Sequence, residues 1–276
     1  MVVLENLVVV FLAGLVTALA TGLGALPFFF FEDISPRWNV VLWGLASGIM
    51  VSASVFGLVQ EGLAVVEGTL VDAAVVIGPG LAAGVALVIV GHELLDRAAV
   101  DPEEYAEADF RKLVLILGIL TVHSFPEGVA VGVSFAELGL AGVPDAETVA
   151  LLGLTLPVLA VFMTVAISVH NIPEGVAVSI PLRSMGVSEW RMVWWAVFSS
   201  LPQPVGAVIA YYFVTLARGF LPVGFGFAAG AMVYLVATEF IPEALDSGRE
   251  LPRGGRPELA AGLTVGVAVM VPLAFV

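Results

Sequence analysis

Ten residues from His123, HSFPEGVAVG, return almost unchanged from His170 as HNIPEGVAVS, 47 positions further along the chain. Residues four apart on a helix share a face, so His123 lines up with Glu127 and His170 with Glu174. Pro126 and Pro173 cannot donate to the carbonyls of Val122 and Val169, which bends each helix and leaves a backbone oxygen open beside its histidine. Gly128 and Gly175 admit a neighbouring helix at close range. Two imidazoles and two carboxylates suit a borderline divalent metal such as Zn²⁺, whose charge offsets both carboxylates. The bland alternative for either copy alone is a packing device, since Pro and Gly are common in membrane helices and a lone buried histidine usually satisfies a core contact. Two copies at matching positions weigh against it.

The elements that hold these residues are apolar. Of 276 residues, 60% are hydrophobic and 12% charged, against roughly 25% charged in soluble domains. That composition marks an all-α integral membrane protein. A spanning helix takes about 20 apolar residues, and runs bounded by charge, Gly and Pro give eight segments. They lie at Leu7 to Phe31, Val40 to Val66, Val75 to Leu95, Leu113 to Leu138, Val149 to Leu182, Met192 to Ala217, Val223 to Ala244 and Leu259 to Val276. Residues 1–276 then form a single membrane domain, with a cytoplasmic loop at about 97–112 between the third and fourth segments. At mid-membrane each ionisable side chain costs at least about 2.5 to 3.5 kcal/mol, and broken helix is tolerated only where it is packed or wet. Four such side chains together need a compensating partner.

Nine of the ten Lys and Arg residues fall on one side of this parse: Arg37, Arg97, Arg111, Lys112, Arg183, Arg191, Arg249, Arg253 and Arg256. Arg218 falls on the other. The positive-inside rule places the nine in the cytoplasm and both termini outside it. The fourth and fifth segments then run antiparallel. A motif repeated on antiparallel neighbours is the pattern of an inverted-topology repeat with its site near the midplane.

Several function classes drop out. There is no cysteine, hence no thiolate metal site and no disulfide framework. The net charge of −14 sits largely in loops such as Asp101 to Asp109; a salt-adapted source would account for it and for the preference for Arg over Lys. Without a basic patch, nucleic-acid binding has no support. The amino terminus carries Glu5 and no early Lys or Arg, so the first segment is expected to be a transmembrane helix rather than a cleaved signal peptide.

Other buried polar residues each have two readings. Gln203, between Pro202 and Pro204, is either a ligand or a group that mends the broken backbone. Glu239 and Glu243, four apart across Pro242, are either an exit relay or a solvated helix end. His92, Glu93 and Asp96 close the third segment, where a solvated end is the stronger reading. Met50, Ser52 and Ser54 read as packing residues, although the Met50 thioether can ligate soft metals.

With ATGLGALPFFF in the first segment, SSLPQPVGA in the sixth and GAMVYLVATEFIPEA in the seventh, the two decapeptides make the chain resemble the ZIP family of divalent-metal transporters, in particular its GufA-like prokaryotic branch. The likeness spans nearly the whole chain. It implies eight helices in a 3+2+3 arrangement, often dimeric, moving Zn²⁺, Fe²⁺, Mn²⁺ or Cd²⁺ toward the cytoplasm. Matched position by position, it implies a metal site of His123, Glu127, His170 and Glu174, with Met50 as an extra contact. Binuclear relatives hold a second ion with an Asn, an Asp and a further Glu, where this chain has Ser124, Asn171 and Gln203. Only Glu127 and Glu174 remain to offset charge there, and two dications in a low-dielectric site repel strongly. The expectation is one metal, with the second position vacant or weakly held. The histidine cluster that many relatives carry between the third and fourth helices is missing, and Asp101, Glu103, Glu104, Glu107 and Asp109 stand in that loop instead.

The expected function is therefore a multi-pass plasma-membrane transporter of zinc, or of Fe²⁺, Mn²⁺ or Cd²⁺, working by alternating access and needing no organic cofactor. It is not expected to be an enzyme. An intramembrane metalloprotease would need a zinc-activated water, and the H-E-x-x-H spacing is absent. A metal-gated channel or sensor is the rival that site chemistry alone does not separate from a carrier.

Overall fold

The structure is a computed structural model and describes residues 2–66, 68–97, 123–139, 148–151, 153–184 and 186–271. The chain folds as helices α1 (Val2–Leu23), α2 (Pro36–Val65), α3 (Leu70–Arg97), α4 (123–134), α5 (Val158–Ser184), α6 (Glu189–Leu216), α7 (Leu221–Ser247) and α8 (Arg256–Met270). Among the described residues, α1, α2, α3, α5, α6 and α7 contain stretches long and apolar enough to cross a membrane. The protein is thus a mostly helical membrane protein. The acidic loop Asp101 to Asp109, with Arg111 and Lys112, lies outside the described residues.

Local sequence explains the helix starts. Ser35 accepts a hydrogen bond from the Trp38 N–H at 3.5 Å, and Pro36 occupies the first turn of α2, where a missing N–H does no harm. Before α3, the Thr69 N–H donates to Asp72 Oδ2 at 2.8 Å and the Asp72 N–H returns a bond to Thr69 Oγ1 at 3.3 Å. This reciprocal pair satisfies two donors that a helix start otherwise leaves open.

Two expectations are corrected, and one feature is new. The fifth segment starts at Val158, not Val149, because Thr148–Leu151 and Leu154–Pro157 pair as an antiparallel β-hairpin. The β-branched residues Thr148, Val149 and Thr155 favour extended chain, and Gly153 supplies the left-handed φ of 79° that the tight connection needs. The sixth segment is an interrupted helix: α6 breaks at Ser200 and Leu201 and restarts at Pro202, whose ring removes a backbone donor. Finally, α2 and α7 each contain a π-helical stretch, Ala53–Val59 and Val236–Phe240, which the apolar pattern did not announce. Such stretches are rare and recur at functional sites.

Packing divides the helices into two groups. The broadest helix–helix contacts among the described residues are α2 with α8 and α3 with α7. Gly44 and Gly48 face Gly262 and Gly266 in the first pair; in the second, Gly80 and Gly84 lie against the backbone of Val223 and Phe227, and Gly226 and Gly230 against that of Ile77 and Leu81. Without side chains there, backbones approach closely, as membrane helices need when lipid is as apolar as any core. The other group is tied by polar side chains. Asn6 Nδ2 on α1 donates to the Tyr211 hydroxyl on α6 at 3.0 Å and to the Leu138 carbonyl beyond α4 at 3.2 Å. Thr21 and Ser200 join α1 to α6 through their hydroxyls at 2.7 Å.

Candidate metal site

Gly128 and Gly175 position the two decapeptides. A Cβ on Gly175 would collide with the Thr21 carbonyl oxygen, and one on Gly128 would stand 2.7 Å from Gln203 Cα and collide with the Gln203 carbonyl oxygen. The absent side chains let α1 lie on α5 and α6 on α4 at backbone distance. Glu127 and Glu174, each one residue before its glycine, are thereby enclosed. Helix α5 also continues unbroken through Pro173.

The structure brings Glu127, His170 and Glu174 together: one donor atom from each lies within 4.8 Å of the others, and all three side chains are buried. His170 Nε2 stands 3.4 Å from Glu127 Oε1. Among the described residues, neither ring nitrogen of His170, nor either oxygen of Glu174, nor Glu127 Oε1 has a hydrogen-bond partner. Burying polar atoms without partners is expensive, and here the orphaned atoms converge. Two carboxylates and an imidazole with open lone pairs fit a divalent cation such as Zn²⁺, which takes nitrogen and oxygen ligands at about 2.0 to 2.2 Å. Met50 is buried in the core cluster that also holds Phe240, the ring stacked on His170 at 5.3 Å.

His123 departs from the expected set. Its Nε2 lies 3.2 Å from His92 Nε2, and His92 in turn lies 3.1 Å from Glu239 Oε1. His92, His123 and Glu239 form a second group of convergent donors, with His92 and Glu239 partly exposed. Helix α3 therefore contributes a site-facing histidine, where sequence favoured a solvated end. Glu239 lies in the π-helical stretch of α7, while Glu243, one turn on, is exposed and stands outside the group. Phe240 packs near both histidine clusters, its ring 5.3 Å from His170 and 6.5 Å from His123.

Ser124, Asn171 and Gln203 are all fully buried. Gln203 does not mend backbone. Its Nε2 donates to Glu127 Oε2 at 2.5 Å and its Oε1 accepts from Asn171 Nδ2 at 3.0 Å. Asn171 Nδ2 also donates to the Thr17 carbonyl at 2.7 Å. Nothing in the spacing of Gln203 announced this contact; its buried place between two prolines was the signal available.

A polytopic helical membrane protein with a buried histidine–carboxylate cluster is the class that fold and site define. Residues 157–274 match the family model described as ZIP zinc transporter. The zinc transporter GufA of Myxococcus xanthus is 34% identical over 86% of this chain and 91% of its own length. The zinc transporter ZIPB of Bordetella bronchiseptica is 35% identical over 91% of this chain and 75% of its own. The Arabidopsis thaliana protein At3g08650 is 38% identical over 93% of this chain, which spans 37% of that protein's length. The chain belongs to the ZIP family.

Proposed function

We propose that this protein carries zinc across the membrane toward the cytoplasm by alternating access. One ion is held by Glu127, His170 and Glu174 and handed by His123 to His92 and Glu239. The observation that carries this reading is the convergence of unpartnered, buried donor atoms from three residues at one point. The names of the relatives favour zinc over Fe²⁺, Mn²⁺ and Cd²⁺, all of which accept imidazole and carboxylate. Met50, buried in the same core, is a further contact for the ion.

The same reading takes α1 to α8 as eight spans in a 3+2+3 arrangement related by an inverted repeat, with both termini outside the cytoplasm and the plasma membrane as the location. Three pairings support the repeat. The α2–α8 contact matches α7–α3, the π-helical stretch of α2 matches that of α7, and Thr21 meets Gly175 as Gln203 meets Gly128. Alternating access then means that α1, α4, α5 and α6, joined by buried hydrogen bonds, move with the ion against α2, α3, α7 and α8. The His92–His123 contact spans the two groups, so the ion changes hands where they meet.

The test is zinc uptake by the purified protein in liposomes. The His170→Ala, Glu174→Ala double variant should lose saturable uptake. Uptake unchanged in that variant would sink the site assignment, and flux that never saturates would favour a channel over a carrier.

A further inference from the structure

Gln203 sits beside the cluster with its polarity fixed. Asn171 Nδ2 is anchored on the Thr17 carbonyl at 2.7 Å and donates at 3.0 Å to Gln203 Oε1. The oxygen end of the Gln203 amide is thereby taken, and its N–H end is left to meet Glu127 Oε2, at 2.5 Å. All three side chains are buried without measurable exposure. The backbone of Gln203 has no room to retreat, because its Cα and carbonyl oxygen are wedged against Gly128. The other Glu127 oxygen, both Glu174 oxygens and both His170 nitrogens have no hydrogen-bond partner among the described residues. Glu127 is thus divided: one oxygen belongs to the amide and the other looks toward His170 and Glu174.

We propose that the Gln203 amide takes the place of a second cation beside Glu127, so that this chain's own hydrogen-bond network holds the site to a single metal ion. The inference rests on the zinc-site reading above and goes beyond it. The second position is neither vacant nor open to a weakly held ion; a side-chain N–H fills it and supplies positive character without a full charge. An amide dipole repels the bound dication far less than another dication would in a poorly screened site. It also aims the free oxygen of Glu127 at the ion, the kind of outer-shell support whose loss typically costs 10–100-fold in metal affinity. Because the network runs from Thr17 on α1 through Asn171 on α5 and Gln203 on α6 to Glu127 on α4, it binds together the four helices that carry the ion.

The test measures zinc bound per chain, by calorimetry and by metal analysis after desalting, on detergent-purified protein. Sites elsewhere are counted with Glu174→Gln and subtracted. Wild type should hold one zinc at the site. Gln203→Glu, which replaces the N–H with a carboxylate oxygen at equal size, should hold two, and Asn171→Asp combined with it should tighten the second. Gln203→Met keeps bulk but has no donor, so it should stay at one zinc with roughly 10–100-fold weaker binding. Two zinc ions in wild type, or one zinc with unchanged affinity in both Gln203 variants, would overturn the proposal. Should Gln203→Glu not fold, the affinity of Gln203→Met decides. A wild type whose zinc count equals that of Glu174→Gln fails the underlying site reading instead, so the two failures are told apart.

Discussion

Replacing Glu174 with Gln should have opposite effects on the metal-free and the zinc-loaded protein. Glu127 and Glu174 present carboxylate oxygens within 4.8 Å of each other in a buried site. With no cation between them, two unit charges 4.8 Å apart repel by about 3.5 kcal/mol at an effective dielectric of about 20, and more at closer range. Glu174→Gln keeps the shape and removes one charge, so the metal-free protein should become more stable, by an amount on the order of that repulsion. Zinc at one hundred times its dissociation constant should stabilise wild type by about 2.7 kcal/mol, and that increment should disappear in the variant. Denaturation of the purified protein in detergent, with and without zinc, reads both effects. Exposed Glu243 serves as the control, and Glu243→Gln should change neither. A Glu174→Gln protein that is less stable without metal, yet gains the full increment from zinc, would refute the account of these carboxylates as a cation site.

His92→Ala and Glu239→Ala should leave one zinc bound at the inner cluster while slowing uptake, because the proposed path hands the ion to these residues; binding and flux measured on the same sample separate the two effects. Gly175→Ala forces a methyl onto the Thr21 carbonyl, and overpacking of this kind costs about 1 to 3 kcal/mol, so its unfolding midpoint should fall with or without zinc. Zinc affinity should weaken as pH is lowered, because the metal must displace protons from imidazole and carboxylate; titrations at a series of pH values check the sign.

The convergence of Glu127, His170 and Glu174 was legible because the motif repeats. His170, Glu174 and Glu127 stand four or forty-odd residues apart, and helical spacing with a duplicated motif is enough to put them on facing helices. Composition announced the membrane for the same reason, since an apolar stretch of spanning length has few other uses. His123 escaped this reasoning because periodicity fixes which face a side chain occupies but not the rotamer, and its ring turns to His92 on α3. The hairpin at Thr148–Pro157 was hidden because a short β-branched run reads like the start of an apolar helix. The π-helical stretches of α2 and α7 have no counterpart in the apolar pattern that marked those two segments. Gln203 was singled out by its burial between prolines, yet its role depends on a hydrogen bond to a residue 76 positions away, which no local pattern encodes.

The most direct test of the central claim is to locate the ion. Crystals grown with zinc and measured at the zinc absorption edge should show one strong anomalous peak between Glu127, His170 and Glu174, at about 2.0 to 2.2 Å from their donor atoms. Zinc found only elsewhere, with these three side chains still unbridged, would contradict it.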